Sequence, residues 1–516
     1  MRKIPGSRLF FLTIVTVIIV SFFSVASLWA DTNKKELVMI SSCVPALDPV
    51  YDYTAGHLHI VKAIEYLTRI TPNGEIKPEL ALSYQSLDKN TWEVKLRANV
   101  TFWSGKTMDA KAAKASLERA RKFAPEAKDL LAGVTIIVID PLTLHFVTKH
   151  HDPGLPVNLS SKWLAIHNAD NYGDKPAPYD LSRLDATGMY RVVDYVPRQK
   201  IVYEKWSGYW GKKPAVNRIV YKAVSDPQSR LLGALSGEAD IVLAIPSEGG
   251  SVIKASQDKD LLVIKGPDIY YIYLNFNYGP LQDIRVRQAL AWGIDRNKVV
   301  DMAISGFGTP APTWYAQNPL YPEAKDMGYR RYDPEKSKKL LTEAGWIMDN
   351  DAIRKKDGKP LSLRFFATNY HRAIGPIIQS QWKKLGIQVS VEYGDSGFRE
   401  AKLASGDWET GFGGMGSFGD PRAVLLRQFG PDGYRNFSGY NNDTMNNIIE
   451  QLGRTSDKKA RHALAIKANN LIAETVPIIP IFTKDALVAV NKNITGLKPH
   501  FIWWLYLFTD AIDLKE

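Results

Sequence analysis

The chain has 516 residues, 45% of them hydrophobic and 23% charged, with a formal net charge of +12 and one cysteine. At about 100–200 residues per domain this length implies two or more lobes, with ample apolar material for a large core. The lone Cys43 excludes an intramolecular disulfide, and the dispersed basic residues, free of any nucleic-acid motif, argue for a solvated surface and against nucleic acid as a partner.

Arg2, Lys3 and Arg8 precede an apolar run from Leu9 to Val25, with small residues at Ser24, Ala26 and Ala30. That is the layout of a cleaved secretory signal peptide over residues 1–30, and a retained anchor helix is the competing reading. Cys43 lies well past the run, so no lipid-attachment cysteine closes it. The expected location is a periplasm, and the protein is not expected to be a lipoprotein.

Leu37 to Ser41 reads as a strand that ends in the turn Leu47-Asp48-Pro49, and a helix is expected to carry His57, His59, Val61 and Ile64. Thr91 to Leu96 alternates as a strand, and Val100 to Thr107 leads into a helix from about Ala110 to Lys122. Further on, Tyr271 to Asn277 is aromatic and β-branched enough for a buried strand, which Gly279-Pro280 ends. Asp283 then precedes Val286, Ala289, Leu290 and Ile294, an apolar stripe at helical spacing with an acidic residue at the positive end of the dipole. Asp333 is placed as the N-cap of a helix closed by Gly345, and Leu363 to Ala367 is a strand before a helix that reaches Leu385.

Asn275, Asp283, Arg285, Val286, Arg287, Ala289, Ile294 and Asp295 match a strand ending in Asn followed by "D.RVR.A...AID". With Pro78, Leu80 and Ala81, Gly188-Met-Tyr-Arg191, Gly208-Tyr-Trp-Gly211 and Ser236-Gly-Glu-Ala-Asp240, this order resembles the family 5 solute-binding proteins, the extracytoplasmic receptors of peptide and nickel ABC importers. The resemblance runs from about residue 37 to residue 510. It implies an α/β, two-lobed periplasmic binding protein fold of class II, cluster C type, with an extra inserted subdomain and the ligand cleft between the lobes. Lobe I would comprise 31–56, 185–275 and 482–516, the inserted subdomain 57–184, and lobe II 276–481. A monomeric receptor is implied, which hands a small-molecule ligand to an inner-membrane ABC permease and its ATPase. It would need no cofactor, any metal being part of the ligand.

Enzyme motifs find no support. Ser104-Gly-Lys-Thr107 lacks a phosphate loop's first glycine, having Val100 there, and Ser417 has Met415 where a nucleophile elbow needs glycine. A secreted hydrolase is thus the weakest alternative. His57 with His59, and His150 with His151, are the close histidine pairs, and neither spacing suits one ion; the resemblance leaves His57 alone as the candidate for direct metal contact.

A cleft for a small polar ligand calls for aromatic walls and a few placed charges, for which Tyr51, Tyr53 and Trp103 are candidates. Other site residues come from the resemblance. His57 lies where similar receptors have ligand-facing side chains, and Arg372 resembles the carboxylate-binding arginine of dipeptide receptors. Ser417 aligns with the aspartate that pairs with a peptide's α-ammonium; a hydroxyl cannot neutralise that charge, which counts against an ordinary peptide. Nickel and metallophore receptors also lack the aspartate, so a transition-metal chelate is the leading ligand and a di- or oligopeptide the alternative. Pro125, Lys128 and Met415 replace an arginine and two tryptophans of the nickel receptors, and Arg435 is the candidate replacement charge.

Overall fold

The computed structural model describes residues 35–515 apart from Asp52, His150, Pro267, 327–331, Asp351, 417–418 and 503–504. The expected signal peptide and Ser417 lie outside the described residues, as do the side chains of Tyr53 and Met415. No described helix is long and apolar enough to cross a membrane.

Two mixed sheets carry the architecture. In the first, seven strands run in the order Lys259–Ile264, Ala486–Asn491, Ile241–Val242, Glu36–Ser41, Arg218–Ala223, Lys200–Lys205 and Tyr190–Val196. Its centre is parallel: Glu36 pairs with Arg218 and Ser41 with Ala223. Leu37, Met39, Tyr203, Ile219 and Tyr221 bury their side chains in one core. The second sheet has six strands, Gly308–Pro310, Ile478–Lys484, Asp268–Leu274, Thr410–Gly416, Ser362–Thr368 and Gln388–Gly394. Past its opening Asp268, the strand Asp268–Leu274 is covered on both faces, so it is aromatic and aliphatic without polar alternation. Ile269, Tyr271 and Tyr273 enter one core with Trp314, while Ile272 and Leu274 enter another with Trp382. The glycines of Thr410–Gly416 let neighbouring rings lie over that strand: a Cβ on Gly413 would stand 2.5 Å from the Tyr273 ring.

The family-marking stretch has a structural explanation. Asp283 caps the helix Ile284–Trp292 and pairs with Arg285 at 2.7 Å. Buried Arg287 donates to the carbonyls of Thr475, Leu281 and Gln282 and lies 4.3 Å over the Phe276 ring. Asn275 donates to the carbonyls of Gly406 and Trp408. These residues knit the second lobe together.

Three expectations are corrected. The segment from His57 to Ile64 is the 3-10 turn Tyr53–His59 followed by further turns, with Lys62 left-handed at φ 53°. Leu58, Ile60, Val61, Ala63, Ile64 and Tyr66 are all buried in the first sheet's core, so the segment has no solvent face for an amphipathic helix to show. The same burial joins residues 58–66 to lobe I, so the inserted unit starts after them. It is a four-stranded sheet, Ala81–Ser86, Thr91–Leu96, Thr143–Thr148 and Val134–Asp140, packed on the helix Ala110–Phe123. The lobe boundaries at 275 and 482 also move. Asp268–Leu274 pairs with Thr410–Gly416 and Ile478–Lys484, both in the second sheet, so the chain crosses between Ile264 and Asp268 and returns at Asp485.

Candidate ligand cleft

In the second sheet, Ser362–Thr368, Gln388–Gly394 and Thr410–Gly416 run parallel, so their carboxyl ends share one edge. The antiparallel strand Asp268–Leu274 starts at that edge and Ile478–Lys484 ends there. In the first sheet Glu36–Ser41, Arg218–Ala223 and Ile241–Val242 likewise end together. Arg230, 2% exposed, clamps their outgoing loops by donating to the carbonyls of Val224, Ser225 and Ala244, and it lies within electrostatic reach of Tyr370 on the second lobe. Ligands of open α/β sheets bind outside carboxyl ends. Here two such edges are turned to each other across the crossings.

On the first-lobe wall, the loop after Ser41 is fixed by a buried ion pair. Asp48, fully buried, accepts from both Arg119 terminal nitrogens at 2.8 and 2.7 Å, from the Ala177 N–H at 2.7 Å and from the Val50 N–H at 3.2 Å. Burial alone would raise the Asp48 carboxyl, but Arg119 and Ala177 outweigh it and hold the pKa below the usual carboxylate value. The guanidinium is backed by the Tyr172 ring at 3.9 Å and by His167, which burial and Arg119 push down to about 4 and so keep neutral.

Beyond this anchor, Tyr51 is 46% exposed and meets Tyr179 edge to face at 6.3 Å. His57 is partly buried in the 3-10 turn, beside Gly56. A Cβ at Gly56 would lie 3.0 Å from the Lys162 side chain, so the glycine seats Lys162 beside the loop. Trp103, expected as a wall, donates its indole N–H to the Gly188 carbonyl at 3.1 Å and packs on the first lobe's core, joining subdomain to lobe.

On the second-lobe wall, Asp420 caps the helix Pro421–Phe429 and is ion-paired with Arg461. Its carboxylate packs against Gly154 of the inserted unit, one point where the two walls meet. Arg435 is partly buried among Tyr271, Tyr273 and Tyr434, with its guanidinium 5.8 Å from the Tyr434 ring, and it makes no ion pair with any described residue. Its loop is held by Arg435 N–H to the Arg427 carbonyl and by Gln428 to the Arg435 carbonyl. Arg372 is exposed just before the helix Ile374–Lys383, 5.2 Å over the Tyr393 ring. The two arginines have different neighbours; the structure does not bring them into contact.

Sequence reasoning missed the cleft floor. Lys484 donates to the Tyr370 hydroxyl at 2.9 Å. His371 is wedged against Tyr270, Phe412 and Tyr370, and burial lowers its pKa to about 3. Asp268 stands at the first crossing; burial pushes its carboxyl up to about 7, and the Lys162 ammonium of the opposite wall pulls it back. Asp485 stands at the return crossing, raised by burial against the pull of Lys265. Among the described residues no group of three or more His, Cys, Asp or Glu is placed to hold a metal ion.

Two lobes joined by two crossings, with carboxyl edges turned to a shared cleft, define a two-lobed ligand-binding protein. The model of the bacterial extracellular solute-binding proteins, family 5 (middle), matches residues 75–436, and the chain belongs to this family of ABC-importer solute-binding proteins. The nickel-binding protein NikA of Staphylococcus aureus is 26% identical over 447 residues, covering 85% of this chain and 86% of that protein. The glutathione-binding protein GsiB of Escherichia coli K12 is 26% identical over 491 residues, covering 90% and 92%. Among solved structures, S. aureus NikA with Ni(L-His)2 superposes with a TM-score of 0.78 at 23% identity, covering 93% of this chain and all of that one. Bacillus subtilis AppA with a nonapeptide gives 0.78 at 21% identity, covering 93% and 99%, so the fold accommodates both kinds of ligand.

Proposed function

We propose that this chain is a periplasmic receptor that closes its lobes on a small transition-metal chelate, of the nickel–amino acid kind, and delivers it as a monomer to an inner-membrane ABC permease and its ATPase. The observation that carries this reading is Arg435, a partly buried guanidinium among tyrosine rings that makes no ion pair with any described residue, Glu400 acting on it only electrostatically. Burial works against this cation, and a ligand carboxylate offsets that cost with charge-assisted hydrogen bonds while the rings flank the ligand. The metal's donors then belong to the chelator. Greater affinity for the closed form drives closure, with no covalent step. The relationship to NikA supports a nickel ligand; that to GsiB, together with the exposed Arg372, favours a short peptide as the second reading.

Native mass spectrometry of the protein purified from its own periplasm tests the reading. An adduct with a nickel isotope pattern plus a small acid is expected, and a ladder of peptide masses would replace the chelate with a peptide. Calorimetry supplies the second arm: preformed Ni(II)–(L-histidine)2 should bind well, and Ni(II) or L-histidine alone poorly. Equal response to all three would refute chelate recognition.

A further inference from the structure

Asp268 opens the strand Asp268–Leu274 at the first crossing, in register opposite Gly416. Alternation places its side chain on the face of Tyr270 and Ile272, toward the edge where His371 and Lys484 stand. The residue keeps part of its exposure, and no described residue donates a hydrogen bond to its carboxylate or forms an ion pair with it. Such a carboxylate has surrendered hydration without gaining donors, which leaves it open to an incoming N–H group.

The surrounding charges limit what else could satisfy it. Lys162 acts from the opposite lobe, Lys265 and Asp485 occupy the crossings, and Lys484 is engaged with Tyr370. Tyr270, beside it on the strand, is held protonated by burial, and His371 is held neutral. Asp268 and Asp485 are the acids of the floor, and Asp485, 8% exposed, is the more enclosed. On the second-lobe wall Arg435 also has no ion pair with a described residue, Glu400 acting on it only electrostatically. Among the described residues, the cleft therefore offers Asp268 as a partly exposed carboxylate without an ion pair and Arg435 as a partly buried cation without one.

Resting on the chelate reading, we propose that Asp268 sets the specificity of the cleft. It accepts hydrogen bonds from a cationic or metal-polarised N–H of the ligand, an α-ammonium or the amino or imidazole N–H of a metal-bound amino acid, while Arg435 takes the ligand's carboxylate. Ligands derived from amino acids are then selected over chelates built from carboxylates alone. Because burial holds the empty carboxyl near neutrality, at about 7, an N–H ligand also displaces a proton from it.

Calorimetry with three probes, Ni(II)–(L-histidine)2, reduced glutathione and Ni(II)–citrate, tests this on the wild type and on Asp268→Asn and Asp268→Ala, each checked for an unchanged unfolding profile. The wild type should bind one of the N–H-bearing probes in preference to the citrate chelate. Both variants should lose about tenfold or more for that probe and nothing for citrate. For glutathione, whose ammonium stays protonated over this range, wild-type affinity should fall about tenfold from pH 8 to pH 6, and the slope should vanish in Asp268→Asn. Wild-type binding that survives both substitutions overturns the role of Asp268 alone, as does a preference for the citrate chelate. Failure of the wild type to bind any probe overturns the ligand reading and this inference together.

Discussion

Replacing Asp48 by alanine should show how far the first-lobe wall depends on one buried ion pair. Arg119 is 7% exposed, and losing Asp48 leaves its guanidinium with neutral His167 and the Tyr172 ring but no carboxylate. Removing one partner of a buried pair costs about 3–5 kcal/mol, and the Ala177 and Val50 N–H groups lose an acceptor as well. At roughly 2–4 °C per kcal/mol for a unit of 150–250 residues, the first lobe should melt on the order of 10 °C earlier. Differential scanning calorimetry reads this, and the lobe's transition should move while the second lobe's stays. The deficit has a definite pH sense. The Asp48 carboxyl is depressed in the fold, so its contribution is present above the unfolded value of about 3.9 and lost as pH falls through the folded value. The variant should therefore be fully destabilised at pH 5–7 and approach the wild type in acid. The pair of isosteric changes Asp48→Leu with Arg119→Met should recover much of the loss, since the unpaired charge causes most of it. A deficit under about 1 kcal/mol, or a double variant as unstable as the sum of the singles, would refute the reasoning.

Three further outcomes are expected. Arg435→Ala should weaken binding of Ni(II)–(L-histidine)2 by about 1.5–3 kcal/mol in calorimetry with little change in melting temperature; unchanged affinity would remove Arg435 from the site. Glu79, 4% exposed, is pushed up to about 7 by burial and by the neighbouring Glu65, so the fold favours its protonated form. Its stabilising contribution is full below the unfolded value of about 4.3 and is lost as pH rises through about 7, so Glu79→Gln should exceed the wild type by roughly 1–3 kcal/mol at pH 8 and converge with it near pH 5 in denaturant titrations. Gly413→Ala, which sets a methyl 2.5 Å from the Tyr273 ring, should cost about 1–3 kcal/mol in the same assay, and a neutral result would mean the ring gives way freely.

Signals written in consecutive residues were legible in the sequence. Asp283 and Asp333 cap the helices they were expected to open, and Thr91–Leu96 is the strand its alternation indicates. The turns after His57 do not show in the sequence, because the segment's apolar residues are buried on every side and leave no periodicity to tell turns from a helix. Trp103 shows a different limit: an aromatic ring with a polar edge reads equally as a ligand wall or as a bridge to the Gly188 carbonyl, and only the partner decides. Even the most recognisable stretch marks the family through Arg287 and Asn275, which satisfy backbone carbonyls of the second lobe and contribute nothing to the cleft.

The floor of the cleft was illegible for a physical reason. An aspartate ahead of an aromatic strand reads locally as a turn residue. Asp268 acquires its character from strand pairing with Gly416, far along the chain, and from Lys162 on the other lobe. Desolvation and electrostatic neighbours are properties of assembled edges, and those edges form only once two crossings bring the carboxyl ends of two sheets together. Residues that confer ligand choice at such a place lie at strand ends and loops, where local periodicity stops and local signals are weakest. A receptor of this fold can thus change its ligand by moving a charge to an adjacent strand end, as the pairing of Asp268 with Gly416 allows, while every capping and packing signal that marks the family stays in place.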